Sequence, residues 1–255
     1  MSTIIITGST RGIGLELATE FLEHGHQVVI NGRNTEKVKE VVNTLSKDGW
    51  KVVGLAGSAE ESKTHQMLID LAVKSYGKVD IYINNAGIPN PHMSFTDLDK
   101  KDIKSLIDTN IYGLMIGTSV AANYMLKQGS GKIFNMEGFG SDGRMRQNLT
   151  LYGTSKRAVN YFTKSLAKEV KKSAIQIGVI SPGMVRTAFL DQSMQFSSPE
   201  EKKQFEKVYR ILAEDVDVVT KFLVKGMLKS TKNYDKISYL SGGPLTIKII
   251  RMMFS

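Results

Sequence analysis

Short apolar, β-branched runs alternate with longer helical patterns along most of the chain. The first helical pattern carries an apolar stripe that includes Leu17 and Phe21, and Gly25 is placed to end it. This alternation is typical of parallel βαβ units. It predicts seven strands near Thr3–Thr7, Gln27–Asn31, Lys51–Leu55, Val79–Asn84, Lys132–Met136, Gln176–Ile180 and Ile237–Leu240. Helices are predicted at about Gly12–His24, Thr35–Lys47, Glu60–Tyr76, Asp99–Lys127 and Tyr152–Lys172.

Seven strands joined by helical crossovers predict an α/β fold of the Rossmann type. We expect a three-layer, doubly wound sandwich around a seven-stranded parallel sheet. The 255 residues suit one domain that covers residues 1–255. The alternation breaks at about residues 184–229, directly after a strand end, where an α/β enzyme usually carries a substrate lid.

The chain is basic, with 34 Lys+Arg against 25 Asp+Glu and a formal charge of +9. This charge indicates an anionic partner: a nucleic acid, an acidic carrier protein, a membrane surface or a phosphorylated small molecule. Nucleic acid is not expected, because no recognition motif is present and aromatic residues are not interleaved with the cations. The absence of cysteine excludes disulfides, thiolate metal sites and cysteine nucleophiles. The four histidines have no metal-ligand spacing, so no metal site is predicted.

The two ends of the chain bear on targeting and membrane contact. No signal-peptide pattern precedes the first strand, so a cytoplasmic location is expected. Residues 245–255 are mostly apolar and include two cations. We expect this tail to pack on the protein's own body or across an oligomer interface, with peripheral docking on an anionic membrane as the alternative.

A glycine-rich turn follows the first strand and leads into the first helix. Such a turn lets the backbone approach a pyrophosphate closely, while the helix N-terminus supplies amides and a positive dipole. A plain strand-to-helix turn is the alternative, but the position after the first strand of a βαβ unit favours a nucleotide. The predicted cofactor contacts are Gly8, Ser9, Thr10, Arg11, Gly12, Ile13 and Gly14.

The end of the second strand discriminates between the two nicotinamide cofactors. An acidic residue there binds a ribose 2′-hydroxyl, whereas arginine accommodates a 2′-phosphate. Here Arg33 and Asn34 follow the strand, and the first acid is Glu36. Arg33 can contact a phosphate through paired hydrogen bonds, with Arg11 on the other side. The sequence therefore predicts NADP(H).

Tyr152 and Lys156 lie four residues apart at the start of a predicted helix, so they share one face. Carbonyl reduction needs a hydride and a proton for the developing alkoxide, and a tyrosine hydroxyl can deliver that proton. We expect the ammonium of Lys156 to lower the pKa of the Tyr152 phenol.

Together with Asn110 and the segment Asn85-Ala86-Gly87, these motifs resemble the short-chain dehydrogenase/reductase family over about the first 190 residues. The resemblance implies that Lys156 holds the nicotinamide ribose and that Asn110 anchors a proton-relay water. It also implies a homodimer or homotetramer. Further cofactor contacts implied by the family pattern are Asn85, Ala86, Gly87, Pro182, Gly183, Val185 and Thr187.

Two positions depart from the family pattern. The serine expected before the tyrosine is replaced, since the region contains Glu137, Gly138 and Phe139, and Ser141 is the nearest hydroxyl. Ser141 is predicted to take the serine's role, with a plain turn serine as the alternative. The aspartate that usually meets the adenine amine is also missing, at residues 56–58. Residues 135–143, together with residues 152–156 and 181–185, are similar to the chlorophyll b reductase branch of the family.

The sequence thus predicts an NADPH-dependent oxidoreductase that reduces a ketone or aldehyde to an alcohol reversibly. A small-molecule carbonyl compound is the predicted substrate, and the methionines near the pocket suit a bulky apolar one. The chlorophyll b reductases are plant enzymes with transit segments, which are not seen in this sequence. We therefore expect a bacterial-type relative that acts on a different carbonyl compound. The alternative is a nucleotide-sensing regulatory protein that binds NADP(H) with little or no turnover.

Overall fold

The computed structural model describes residues 1–89, 91, 93–187 and 199–241. Within them, the strands are β1 (Thr3–Ile6), β2 (Gln27–Gly32), β3 (Val52–Ala56), β4 (Ile81–Asn84), β5 (Gly131–Met136), β6 (Ile175–Ser181) and β7 (Lys236–Ser238). The α-helices are α1 (Gly12–Glu23), α2 (Thr35–Ser46), α3 (Ser62–Tyr76), α4 (Lys100–Ile107), α5 (Leu114–Gln128), α6 (Thr150–Glu169), α7 (Pro199–Leu212) and α8 (Val216–Lys229).

The strands form one parallel sheet in the order β3-β2-β1-β4-β5-β6-β7. In the centre of the sheet, Ile4 pairs with Val28 on one side and with Ile81 on the other. The strand order changes direction between β1 and β4, and ligands of open α/β sheets bind at this switch point, beyond the carboxyl ends of the strands. The predicted seven-stranded sheet is confirmed.

Alternate residues of each strand face opposite sides of the sheet, and both sides are covered by helices. Ile4 and Ile6 pack in a core with Phe21 of α1, whereas Ile5 packs in a second core with Leu68 of α3. All four of these aliphatic side chains and Phe21 are completely buried. The predicted three-layer, doubly wound arrangement is therefore confirmed.

The helix predicted at Asp99–Lys127 is divided into two. A π-helical turn at Asp108–Gly113 joins α4 to α5. Gly113 lies against the loop after β3, since a Cβ added there would be 2.5 Å from the carbonyl oxygen of Ala59. A wider turn here brings Asn110 and Gly113 inward, and a regular amphipathic pattern does not reveal it.

The predicted insertion at residues 184–229 is only partly separate from the body. A parallel bridge pairs Val185 with Glu214 and closes the excursion at its base. Beyond the bridge, Leu223 and Met227 of α8 are completely buried in the core with α1. Residues 188–198 and the tail at 245–255 lie outside the described residues. No helix of the described residues is long and apolar enough to cross a membrane.

Candidate active site

The glycine-rich loop lies between β1 and α1, and at Gly8 and Gly14 it is packed too tightly for a side chain. Gly8 has a positive φ of 62°, and an added Cβ would lie 2.9 Å from Cα of Ala86. A Cβ on Gly14 would collide with the carbonyl oxygen of Gly8. These close approaches leave the α1 N-terminus open to the cavity, where backbone amides can hold a pyrophosphate.

Two residues behind the loop hold its shape. Ser9 is completely buried, and its hydroxyl donates to the carbonyl oxygen of Ile6 at 2.7 Å. Its backbone amide donates to the carbonyl oxygen of Asn31 at 2.8 Å, and the Asn31 side chain donates to Gly57 at 3.1 Å. The structure therefore gives Ser9 a supporting position, whereas Thr10, Arg11, Gly12 and Ile13 line the cavity.

Asn85 and Ala86 connect the β4 end to the same loop. The Asn85 side-chain amide donates to the carbonyl oxygens of Thr7 and Gly8, both at 2.9 Å. The backbone amides of Asn85 and Ala86 each lie 3.1 Å from the hydroxyl oxygen of Thr7. Asn85, Ala86 and Gly87 all line the cavity. Asn85 thus lies in the cavity wall and holds the glycine-rich loop in place through these hydrogen bonds.

Three cations surround the end of β2. Arg11, Arg33 and Lys37 are exposed and line one cavity. Asn34 caps α2 by accepting a hydrogen bond from the backbone amide of Lys37 at 2.9 Å. Sequence reasoning missed Lys37, although its place in the first turn of α2, just after Arg33, could have indicated it.

The far end of the cavity is lined by Gly57, Ser58 and Glu60. No acidic residue occupies the position where the family carries its adenine-binding aspartate. The nearby Glu60 carboxylate accepts a hydrogen bond from the Thr109 hydroxyl at 2.5 Å. Beneath this wall, His65 donates through Nε2 to the carbonyl oxygen of Ala59 at 2.8 Å. The loop after β3 is therefore held in place by buried polar contacts.

Tyr152 and Lys156 occupy one face of α6, as predicted, and both line the cavity. Lys156 is buried with 4% of its surface exposed. Its Nζ lies 5.6 Å from the Tyr152 ring centroid and donates to the carbonyl oxygen of Met136 at 3.1 Å.

The protonation of this pair differs from the expectation. Burial raises the pKa of the Tyr152 phenol above its ordinary value. Burial lowers the pKa of Lys156 to about 8, while the charge of Glu137 acts in the opposite direction. The expected lowering of the Tyr152 pKa by the ammonium is therefore wrong for the protein alone, because desolvation dominates. Tyr152 is a neutral phenol at pH 7.

Asn110 lies at the inner side of the π-helical turn, with 1% of its surface exposed. Its amide donates to the carbonyl oxygen of Ile88 at 2.9 Å, and its oxygen accepts from the Ile88 backbone amide at 2.8 Å. A Cβ on Gly87 would lie 3.2 Å from this oxygen and 3.8 Å from Nζ of Lys156. Asn110 thus fixes the segment after β4 beside Lys156; its part in a water relay stays a prediction.

Gly138 occupies the region where the family carries serine, and it touches the tyrosine. A Cβ added there would lie 2.5 Å from Oη of Tyr152 and 3.2 Å from Cγ of Lys156. Ser141 is buried and lines the cavity, but its hydroxyl donates to the Glu137 carboxylate at 3.2 Å. The substrate-polarising role of Ser141 stays a prediction.

The cavity continues past β6 and has a volume of about 1810 Å³. Pro182, Gly183, Val185 and Thr187 line this part, where the nicotinamide contacts were predicted. The substrate end is mostly apolar and includes Phe139, Met145, Met184, Phe205, Val208 and Leu212. Arg146 stacks over the Phe205 ring, with 5.0 Å between its guanidinium carbon and the ring centroid.

The sequence model of the family described as short chain dehydrogenase matches residues 2–198. The protein belongs to this family. The seven-stranded parallel sheet has the architecture of solved dehydrogenases.

Several curated relatives of this short-chain dehydrogenase are oxidoreductases. The chain is 39% identical to the chlorophyll(ide) b reductase NOL of Arabidopsis thaliana, over 87% of the chain and 64% of the relative. It is 32% identical to a second, probable chlorophyll(ide) b reductase of A. thaliana, over 97% of the chain and 52% of the relative. The chain therefore spans roughly half to two thirds of these plant proteins. An uncharacterized oxidoreductase of Staphylococcus aureus is 38% identical over 72% of the chain and 78% of its own length.

Two solved dehydrogenase structures are similar along most of their length. The gluconate 5-dehydrogenase of Burkholderia cenocepacia, in complex with NADP and tartrate, has a TM-score of 0.80 at 25% identity and covers 96% of the chain and 95% of itself. A 7α-hydroxysteroid dehydrogenase complexed with NADH and 7-oxo glycochenodeoxycholic acid has a TM-score of 0.81 at 25% identity, covering 95% and 93%. Short-chain dehydrogenases of this shape thus bind either nicotinamide cofactor.

Sequence reasoning also missed two charged residues of the site. Glu137 is buried with 1% of its surface exposed, and Lys236 of β7 forms an ion pair with it at 3.3 Å. Both residues line the cavity. A residue on the last strand, 99 positions along the chain, carries no local signal of this pairing.

Proposed function

We propose that the protein catalyses the NADPH-dependent reduction of a ketone or aldehyde to an alcohol, reversibly, with Tyr152 as proton donor and acceptor. The observation that carries the proposal is the position of Tyr152. Its hydroxyl lies next to Gly138 at the cavity wall, on the same helical face as Lys156. The cavity also contains the glycine loop, so cofactor and acid share one space.

The residues present fit an NADP cofactor. The loop around Gly8 and Gly14 leaves no room for side chains, as close contact with a pyrophosphate requires. Arg11, Arg33 and Lys37 would hold a 2′-phosphate, and no acidic residue lies between residues 31 and 35 to repel it. Lys156 would hold the nicotinamide ribose. When bound, the reduced nicotinamide supplies the hydride.

The protein's own residues handle the proton. Tyr152 is a neutral phenol at pH 7, because burial raises its pKa, so it holds the proton that the developing alkoxide takes up. The ammonium of Lys156 then stabilises the phenolate that remains. Reduction therefore needs both groups protonated.

The substrate proposed is a bulky apolar carbonyl compound. Aromatic and aliphatic side chains dominate the substrate end, among them Phe139, Met184 and Phe205. Tetrapyrrole aldehydes belong in the substrate screen, since the relatives above are named chlorophyll(ide) b reductases. Ketosteroids, acyl thioesters, sugars and quinones complete it.

The deciding experiment replaces Tyr152 by Phe. We expect Tyr152→Phe to abolish NADPH oxidation with the best substrate of the screen while NADPH binding, followed by nucleotide fluorescence, stays close to wild type. Thr154→Ala, at an exposed position of α6, is the matched control and keeps full activity. Undiminished turnover by Tyr152→Phe contradicts the proposal. NADPH binding without oxidation across the whole panel favours the nucleotide-sensing alternative.

We further propose a homodimer or homotetramer. Ile107, Tyr112 and Tyr161 are 40%, 52% and 75% exposed, which places apolar side chains on the α4–α5 and α6 surface of the single chain. Light scattering tests this proposal, and a strictly monomeric mass contradicts it.

A further inference from the structure

The Glu137 carboxylate is an unusual charge to find at the end of a central strand. Its backbone amide donates to the carbonyl oxygen of Ile180 at 2.8 Å, so the residue continues the β5–β6 pairing by one position. Its side chain is completely buried. Burial of a carboxylate is unfavourable unless partners compensate for the lost hydration. Those partners therefore indicate what the residue does.

Three side chains compensate the charge, and each comes from a different part of the site. Asn160 of α6 donates to Oε1 at 2.5 Å. Ser141 of the loop after β5 donates to Oε2 at 3.2 Å. Lys236 of β7 lies 3.3 Å from the same oxygen. Glu137 thus ties the catalytic helix, the loop that carries Gly138, and the last strand into one unit.

The same carboxylate acts on Lys156. The ammonium of Lys156 donates to the carbonyl oxygen of Met136, the residue directly before Glu137. Desolvation lowers the pKa of the buried Lys156 ammonium, and the nearby negative charge of Glu137 raises it. Lys236 balances part of that negative charge, with 38% of its own side chain exposed to solvent.

We propose that Glu137 is a positioning residue of the active site: it fixes the Gly138–Ser141 loop against α6 and supplies the negative charge that stabilises the Lys156 ammonium. Lys236 moderates this charge. The catalytic part of the inference rests on the proposed function, whereas the effect on Lys156 is a property of the protein alone.

The test follows the titration of Lys156 directly, by NMR of protein labelled with ¹³C-lysine and assigned through Lys156→Arg. In Glu137→Gln the midpoint is expected to fall, since the stabilising charge is lost. In Lys236→Met it is expected to rise, because a like charge disappears and Glu137 is freed from its partner. Asp70→Asn removes an exposed carboxylate of α3 and leaves the midpoint unchanged.

The opposite signs separate this role from a merely structural one. Glu137→Asp retains the charge and is expected to keep the midpoint near wild type. If Glu137→Gln does not fold, Lys236→Met carries the test, and an unchanged or lowered midpoint in that variant overturns the proposal. An unchanged Lys156 titration in Glu137→Gln, or shifts of Glu137→Gln and Lys236→Met in the same direction, overturns the proposal. Neither result depends on a substrate, so failure of the proposed reductase activity is distinguishable.

Activity supplies the second measurement. For Glu137→Gln we expect kcat to fall by about tenfold or more while the Kd of NADPH is unchanged, as displacement of a catalytic group produces. The high-pH limb of the rate profile moves to lower pH together with the Lys156 midpoint. A raised Kd with unchanged kcat contradicts positioning of the catalytic pair.

Discussion

Replacement of Gly138 by Ala adds a single methyl group directly against the Tyr152 phenol. The added Cβ would lie 2.5 Å from Oη and 3.2 Å from Cζ of Tyr152. Ordinary contacts to carbon need about 3.5 Å, so the phenol has to move by about 1 Å. A 1 Å displacement of a reacting group costs about 100-fold in rate. That factor corresponds to about 2.7 kcal/mol of transition-state stabilisation.

Steady-state kinetics of Gly138→Ala should show this loss in kcat, with NADPH binding retained. Gly138→Ser is expected to behave in the same way, so restoring a serine at this position does not restore the family's usual site. The control is Gly153→Ala on α6, next to Tyr152. A Cβ there has 3.9 Å of clearance to its nearest neighbour, and alanine stabilises a helix by about 1 kcal/mol relative to glycine. Full activity of Gly138→Ala would refute the steric reasoning.

Two further predictions concern the cofactor and the pH profile. Arg33→Ala should raise the Kd of NADPH by about 10- to 100-fold, the equivalent of one charged hydrogen-bonding partner, and leave NADH binding unchanged. Lys39→Ala on the adjoining helix α2 is the control, because Lys39 pairs with Glu36. Equal losses for both cofactors contradict the assignment. Carbonyl reduction should decline as pH rises through about 8, since the lowered pKa of Lys156 keeps the ammonium only below that value. A rate that stays flat to pH 9.5, about one and a half units higher, contradicts a role for the charged form.

The sheet could be predicted because its strands are buried on both faces and read as continuous apolar runs. Ile4, Ile5 and Ile6 are each completely buried, and the helices between strands show a clear apolar stripe. The glycine loop and the Tyr152–Lys156 pair could also be predicted from the sequence, because their chemistry depends on residues that are close in sequence.

Contacts between segments that are distant in sequence could not be predicted from local patterns. The Glu137–Lys236 pair joins β5 to β7, and neither residue has a partner encoded by local spacing. The π-helical turn at Asp108–Gly113 arises from packing of Gly113 against Ala59, which tertiary structure decides. The pKa of Tyr152 is raised and not lowered, because the desolvation of the buried phenol outweighs the effect of the nearby ammonium.

The bridge between Val185 and Glu214 joins the two ends of the segment that lies between them. Backbone hydrogen bonds at 3.0 Å join Glu214 to Met184 and Arg186 to Glu214, so the two ends of the excursion meet at one place. A segment whose ends are already joined can be lengthened, shortened or exchanged without altering the sheet or α8. We therefore expect exchanges within α7, whose Phe205, Val208 and Leu212 line the cavity, to alter the substrate end while the sheet and α8 are retained.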